Sequence, residues 1–121
     1  GLETFEEQYG VFDALPTGEQ ADLLLALAKE ADGKSEDKEA TEWLEGDLAG
    51  LERDSATGVL AYPGLREALQ AARNRRWAGR IVQLLADRAQ PFVAVGEGHM
   101  FGDENLPALL KARGYTVRRV Q

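Results

Sequence analysis

Along most of the chain apolar positions recur at helical spacing, and near its end they switch to a short continuous run. Phe5, Tyr9 and Phe12 share one face behind a Thr4…Glu7 pair spaced as a capping box, so a helix is predicted from Phe5. Pro16 ends it and opens a second helix over Glu19–Ala31, with Leu23, Leu24 and Leu27 as the apolar stripe and a stop near Asp32-Gly33. Ser35 is the predicted N-cap of a third helix, whose stripe is Ala40, Trp43, Leu44, Leu48 and Leu51. Asp47 falls inside that stripe, as a solvated edge or the partner of an arginine. Gly46 and Gly50 weaken the helix there and allow another segment to approach closely.

After a loop between Arg53 and Gly64 the longest helix is predicted, from Leu65 to Asp87. Leu65, Leu69 and Ala72 line its first half. Trp77, Ile81, Leu84 and Leu85 line the second, about a third of a turn around from the first set. Asn74 lies on this second apolar face and Arg73 at its edge. A buried amide needs partners, which for Asn74 are either a loop backbone or the groups of a site.

Pro91 then opens a predicted strand, Phe92 to Gly96, apolar on both faces. Asp103 or Asn105 caps a helix carrying Leu106, Leu109 and Leu110, which Gly114 ends. Tyr115 to Val120 alternates as a half-buried strand does. The expected fold is therefore α/β but helix-rich: residues 1–87 mainly helical, then strand-helix-strand over residues 88–121 as a β-α-β unit. Two strands are too few for a stable sheet. The chain is accordingly expected to be an incomplete part of a larger α/β domain, with exposed sheet edges through which a homodimer could pair.

Composition narrows the chemistry. Having no cysteine, the chain has no disulfide, thiolate metal site or thiol nucleophile. No apolar run reaches the ~18–20 residues of a membrane helix. The net charge of −7 divides unevenly, residues 1–60 carrying −12 and residues 61–121 carrying +5. The halves are expected to pack on each other or on a partner. Nucleic acid is not expected as a ligand of so acidic a chain. The one histidine, His99, ends Gly96-Glu97-Gly98-His99, where glycines permit positive φ and close backbone approach at the end of the predicted strand.

The pieces Gly1-Leu2-Glu3-Thr4, Trp43-Leu44-Glu45-Gly46-Asp47, Arg73-Asn74-Arg75-Arg76-Trp77, Val95-Gly96-Glu97-Gly98-His99 and Ala112-Arg113-Gly114-Tyr115-Thr116-Val117 together resemble the TraB/PrgY/GumN family. That family includes the Tiki proteases and is distantly similar to erythromycin esterases and ChaN-like proteins. The resemblance covers the C-terminal part of a family domain. It implies a metal-dependent hydrolase of the peptidase or esterase kind, with a periplasmic or extracytoplasmic location. The family pattern has two Gly-x-x-His motifs with an acidic residue between them, and His99 matches the second histidine and Glu3 the acidic residue. The resemblance so implies His99, Glu3 and Arg73 as catalytic residues, and Asn74, Gly96 and Gly98 as binding residues. His99 and Glu3 would be ligands of a divalent metal ion in the full-length protein. The first motif is absent, and Glu97 stands where alanine is usual. The 121 residues alone are therefore expected to bind no metal and to be inactive. The alternative is a non-catalytic binding protein for a peptide or another small molecule, since family members are linked to peptide pheromones and to polysaccharide biosynthesis.

Overall fold

A computed structural model describes residues 1–30 and 34–120, the side chains at 30 and 34–37 excepted. The predicted stop at Asp32-Gly33 and the cap by the Ser35 side chain fall outside these residues. Helix α1 (Phe5–Asp13) starts where the capping box requires: the Glu7 amide donates to Thr4 Oγ1 at 3.1 Å, and the Thr4 amide to Glu7 Oε2 at 2.6 Å. None of its residues is buried. Helix α2 (Thr17–Glu30) follows Pro16 and turns Ala26 inward, while Leu24 and Leu27 of the predicted stripe face out.

The predicted third helix is two helices, α3 (Lys34–Glu45) and α4 (Leu48–Asp54). The break comes at Gly46, whose φ of 71° is left-handed, and Asp47 then caps α4 by accepting from the Gly50 amide at 3.0 Å. A Cβ on Gly50 would lie 2.5 Å from a Glu42 carboxylate oxygen, so glycine is what lets α3 and α4 close on each other. Lys38 spans the same corner, 3.1 Å from Glu42 and 2.5 Å from Asp54.

The predicted long helix is α5 (Pro63–Arg66), a π-helical turn (Glu67–Ala71) and α6 (Ala72–Ala86). The wide turn explains why the two apolar faces predicted for it are offset. Leu65 and then Gln70, five residues on, are buried, after which Asn74, Trp77, Ala78 and Ile81 follow at α-helical steps. A short 3₁₀ turn (Glu97–Met100) carries His99. Helix α7 (Leu106–Ala112) is then capped by Asn105, which accepts from the Ala108 amide at 2.7 Å, and it ends before Gly114, at φ 88°.

The α/β expectation is overturned: the described residues are helical with connecting segments and contain no strand, so there is no β-α-β unit. The segment Phe92–Gly96, predicted to be covered on both faces, is covered on one only. Val93 and Val95 pack on the core of Trp77, Ala78, Ile81 and Leu106, whereas Phe92 is 94% exposed. What the two predicted strands lack is a ladder. A strand is made by hydrogen bonds to neighbouring strands, and packing one edge of an extended segment on two helices supplies none. Without sheet edges, the expected edge-paired homodimer loses its basis. Among the described residues no helix is long and apolar enough to cross a membrane.

Candidate functional site

The site forms where the N-terminal segment, α6 and the 3₁₀ turn meet. Glu3 stands just before the Thr4 cap, so its side chain is free to reach α6. There it meets the Arg73 guanidinium in a two-pronged pair: Nε donates to Oε2 at 3.2 Å and Nη2 donates to Oε1. Trp77, one helical turn on, donates its indole N–H to Oε2 at 3.1 Å. The Arg73 guanidinium also lies over the Trp77 ring, 4.6 Å from its centre, while Arg73 Nη1 donates to the Leu69 carbonyl at 3.2 Å. Burial pushes the Glu3 carboxyl up. The bond and charge of Arg73, the indole N–H and the field of Arg76 outweigh it and hold the group below the ordinary carboxylate range.

Trp77 also contacts His99, the ring centres 4.5 Å apart. Asn74, fully buried, fixes His99. The Asn74 amide nitrogen donates to the Glu104 carbonyl at 2.8 Å and the His99 carbonyl at 3.4 Å, which leaves Oδ1 to face His99 Nδ1 at 2.7 Å. An amide oxygen only accepts, so Nδ1 carries the proton and Nε2 keeps its lone pair. Nε2 has no hydrogen-bond partner among the described residues. Burial, then the positive charge of Arg73, push the imidazole down from 6.5 to about 4, with Glu3 opposing. His99 is therefore neutral throughout the physiological range.

The residues predicted for the site thus converge around Trp77, which contacts Glu3, Arg73 and His99. Asn74 holds both a loop backbone and a site group. Gly96 and Gly98 take part through their carbonyls, Gly96 accepting from the His99 amide at 3.1 Å and Gly98 from the Gln70 side chain. Neither uses the positive φ predicted for it. Trp77, predicted as core, and Gln70, which has no predicted role, both belong to the site as well. A buried tryptophan needs a partner for its N–H, and that rule could have tied Trp77 to Glu3.

A divalent ion held by His99 and Glu3, as the resemblance implies, meets a divided answer. His99 fits, being neutral with an unpartnered Nε2 whose opposite nitrogen is anchored, as in metal-bound histidines. Glu3 as arranged does not: both its oxygens accept from Arg73, and one also from Trp77, so a cation already neutralises it. No cluster of three His, Cys, Asp or Glu able to hold a metal occurs among the described residues.

No curated protein and no solved structure matches the chain. The model of the TraB/PrgY/gumN family matches residues 1–119, all five of the quoted pieces lying within that span, and the chain belongs to that family.

Proposed function

We propose that the chain contributes the histidine-bearing wall of a hydrolase site of the peptidase or esterase kind, in which His99 is a neutral acceptor at Nε2. The observation that carries this reading is the 2.7 Å contact of Asn74 Oδ1 with His99 Nδ1, made by an amide with no solvent exposure. It fixes one tautomer and presents the other nitrogen. A group near pKa 4 is a weak base at neutral pH. The role that suits it is to hold an electrophile or accept a hydrogen bond, not to shuttle protons. Arg73, balanced by Glu3, adds little net charge and orients a substrate oxygen through its remaining N–H groups.

The test is hydrolysis of peptide and ester substrates by the protein expressed from its complete gene, beside its His99→Ala variant. The expected loss is about a hundredfold or more, in line with a positioned catalytic group; unchanged turnover overturns the reading. The 121 residues alone are expected to give no His99-dependent turnover.

A second reading, non-catalytic binding, has its own observation. A groove of about 380 Å³ borders the His99 turn at Glu97 and Met100. Trp43, Leu48 and Val117 give it apolar walls, and Lys111, Arg118 and Arg119 add cations. Its complement is an apolar peptide bearing carboxylates. Such a peptide should bind the protein more weakly after Arg118→Glu with Arg119→Glu, with His99→Ala leaving the affinity unchanged; equal loss from His99→Ala would return the groove to the hydrolase site.

A further inference from the structure

The π-helical turn at Glu67–Ala71 sets the register of everything that follows it on α6. Were the helix regular from Leu65 onward, the next inward position would be Leu69, one α-turn later. Instead Leu69 is half-buried and Gln70 is 9% exposed. The extra residue in the wide turn rotates the rest of the helix by roughly 100° relative to its start. That rotation brings Asn74 and Trp77 inward together, four and seven residues after Gln70.

Gln70 is not filler in this arrangement. Its Nε2 donates to the carbonyl of Gly98, the residue before His99, while Asn74 Nδ2 reaches the carbonyl of His99 itself at 3.4 Å. Two amide side chains one helical turn apart thus hold two successive peptide groups of the 3₁₀ turn. Asn74 orients the ring and Gln70 holds the backbone that carries it. Within the turn, the His99 amide donates to the Gly96 carbonyl at 3.1 Å and the Phe101 amide to the Gly98 carbonyl at 3.4 Å.

We propose that Gln70 is a positioning residue for His99, delivered to the Gly98 carbonyl by the π-helical turn. The inference rests on the reading of His99 as a functional acceptor, but it concerns the geometry of the turn and is tested without any turnover assay. The probe is the full chain, with the imidazole nitrogens of His99 observed by ¹⁵N NMR at neutral pH and the His99 amide followed by hydrogen exchange. The parent chain should show a single tautomer protonated at Nδ1. Gln70→Met keeps the volume and removes the donor; it should yield a mixture of tautomers and about five- to tenfold faster exchange, the size of one lost hydrogen bond. Leu65→Val, buried on α5 ahead of the π-helical turn, is the control. It should lower the melting temperature and leave the tautomer single. A single Nδ1–H tautomer with unchanged exchange in Gln70→Met overturns the proposal, as does the same tautomer mixture in Leu65→Val. A failure of hydrolysis in the complete protein would remove the catalytic reading and leave these outcomes standing.

Discussion

The N-terminal helices and the α6–α7 half treat their large side chains in opposite ways. Around α6, Trp77, Ile81 and Leu106 are almost fully buried, and Asn74, Arg73 and Glu3 among them all have partners. On α1 to α3, Phe5, Tyr9, Leu24, Leu25, Trp43 and Leu44 are each more than half exposed. Among the described residues, the ion pair that joins the acidic half to the basic one is Glu3–Arg73, at the site. The α6–α7 pair is organised inward around a polar network, although Phe92 between the two helices is 94% exposed; the N-terminal helices offer more of their apolar side chains outward, the kind of surface that marks interaction. The site belongs to the closed half, and that contrast can be broken by mutation.

The sharpest break is Trp77→Ala. It removes a core side chain, the ring that contacts Arg73 and His99, and the donor to Glu3, and should cost about 3–5 kcal/mol in urea unfolding. A loss under about 1 kcal/mol would show that the closed half is no more cohesive than the open one.

Acid comes next in size. The folded pKa of His99, about 4, lies below its ordinary 6.5, so the unfolded chain binds the proton more tightly. The contribution of this group to stability is therefore complete above about pH 6.5 and is lost as pH falls toward 4, by on the order of 1–2 kcal/mol once solvent screening of the partly exposed ring is allowed for. Glu3, also lowered, adds a further loss below the ordinary carboxylate range. Burial first, and then Arg73, disfavour the imidazolium, while Glu3 favours it. Unfolding midpoints at pH 7, 5.5 and 4 should show this slope in the parent chain and a much shallower one in His99→Gln. Equal slopes would mean that the imidazole is not held in the closed network.

Glu3→Gln is milder. It leaves the Arg73 guanidinium, 17% exposed in its side chain, without its counter-charge, while an amide oxygen can still accept from Trp77. The expected cost is about 1–2 kcal/mol, below that of breaking a fully buried pair because the guanidinium can still reach water.

What could be read in advance follows the same division. Thr4 with Glu7, Asn105 and Gly114 act within one turn of chain, so their roles are legible from spacing alone. Asn74 was legible because one polar residue on a 3.6-residue apolar face has to be satisfied. The strands were not, because Phe92–Val95 carries a strand's composition while its pairing depends on neighbours that the local pattern does not contain. The Glu67–Ala71 turn was legible only as an offset between two faces: Leu65, Leu69 and Ala72 look like an ordinary helical stripe. Trp43 and Leu44 were predicted inward because a stripe rule assumes something to pack on; among the described residues Glu42 turns inward in their place.

The smallest effect tests the open half. Leu44, 84% exposed, caps no helix and belongs to no buried cluster, and Phe5 at 72% touches mainly Tyr9, 4.2 Å away between ring centres. Burial energy scales with the area removed from water, and these side chains keep most of theirs. Leu44→Ser and Phe5→Ser should each change unfolding free energy by no more than about 0.5 kcal/mol, with Phe5→Ser giving up only a local ring pair. The same two changes should reduce self-association in light scattering, because an exposed apolar face is what they remove. A cost above about 1 kcal/mol for Leu44→Ser would mean that the outer face of α3 is covered in solution. The contrast would then be between a half satisfied by its own residues and a half satisfied by a partner.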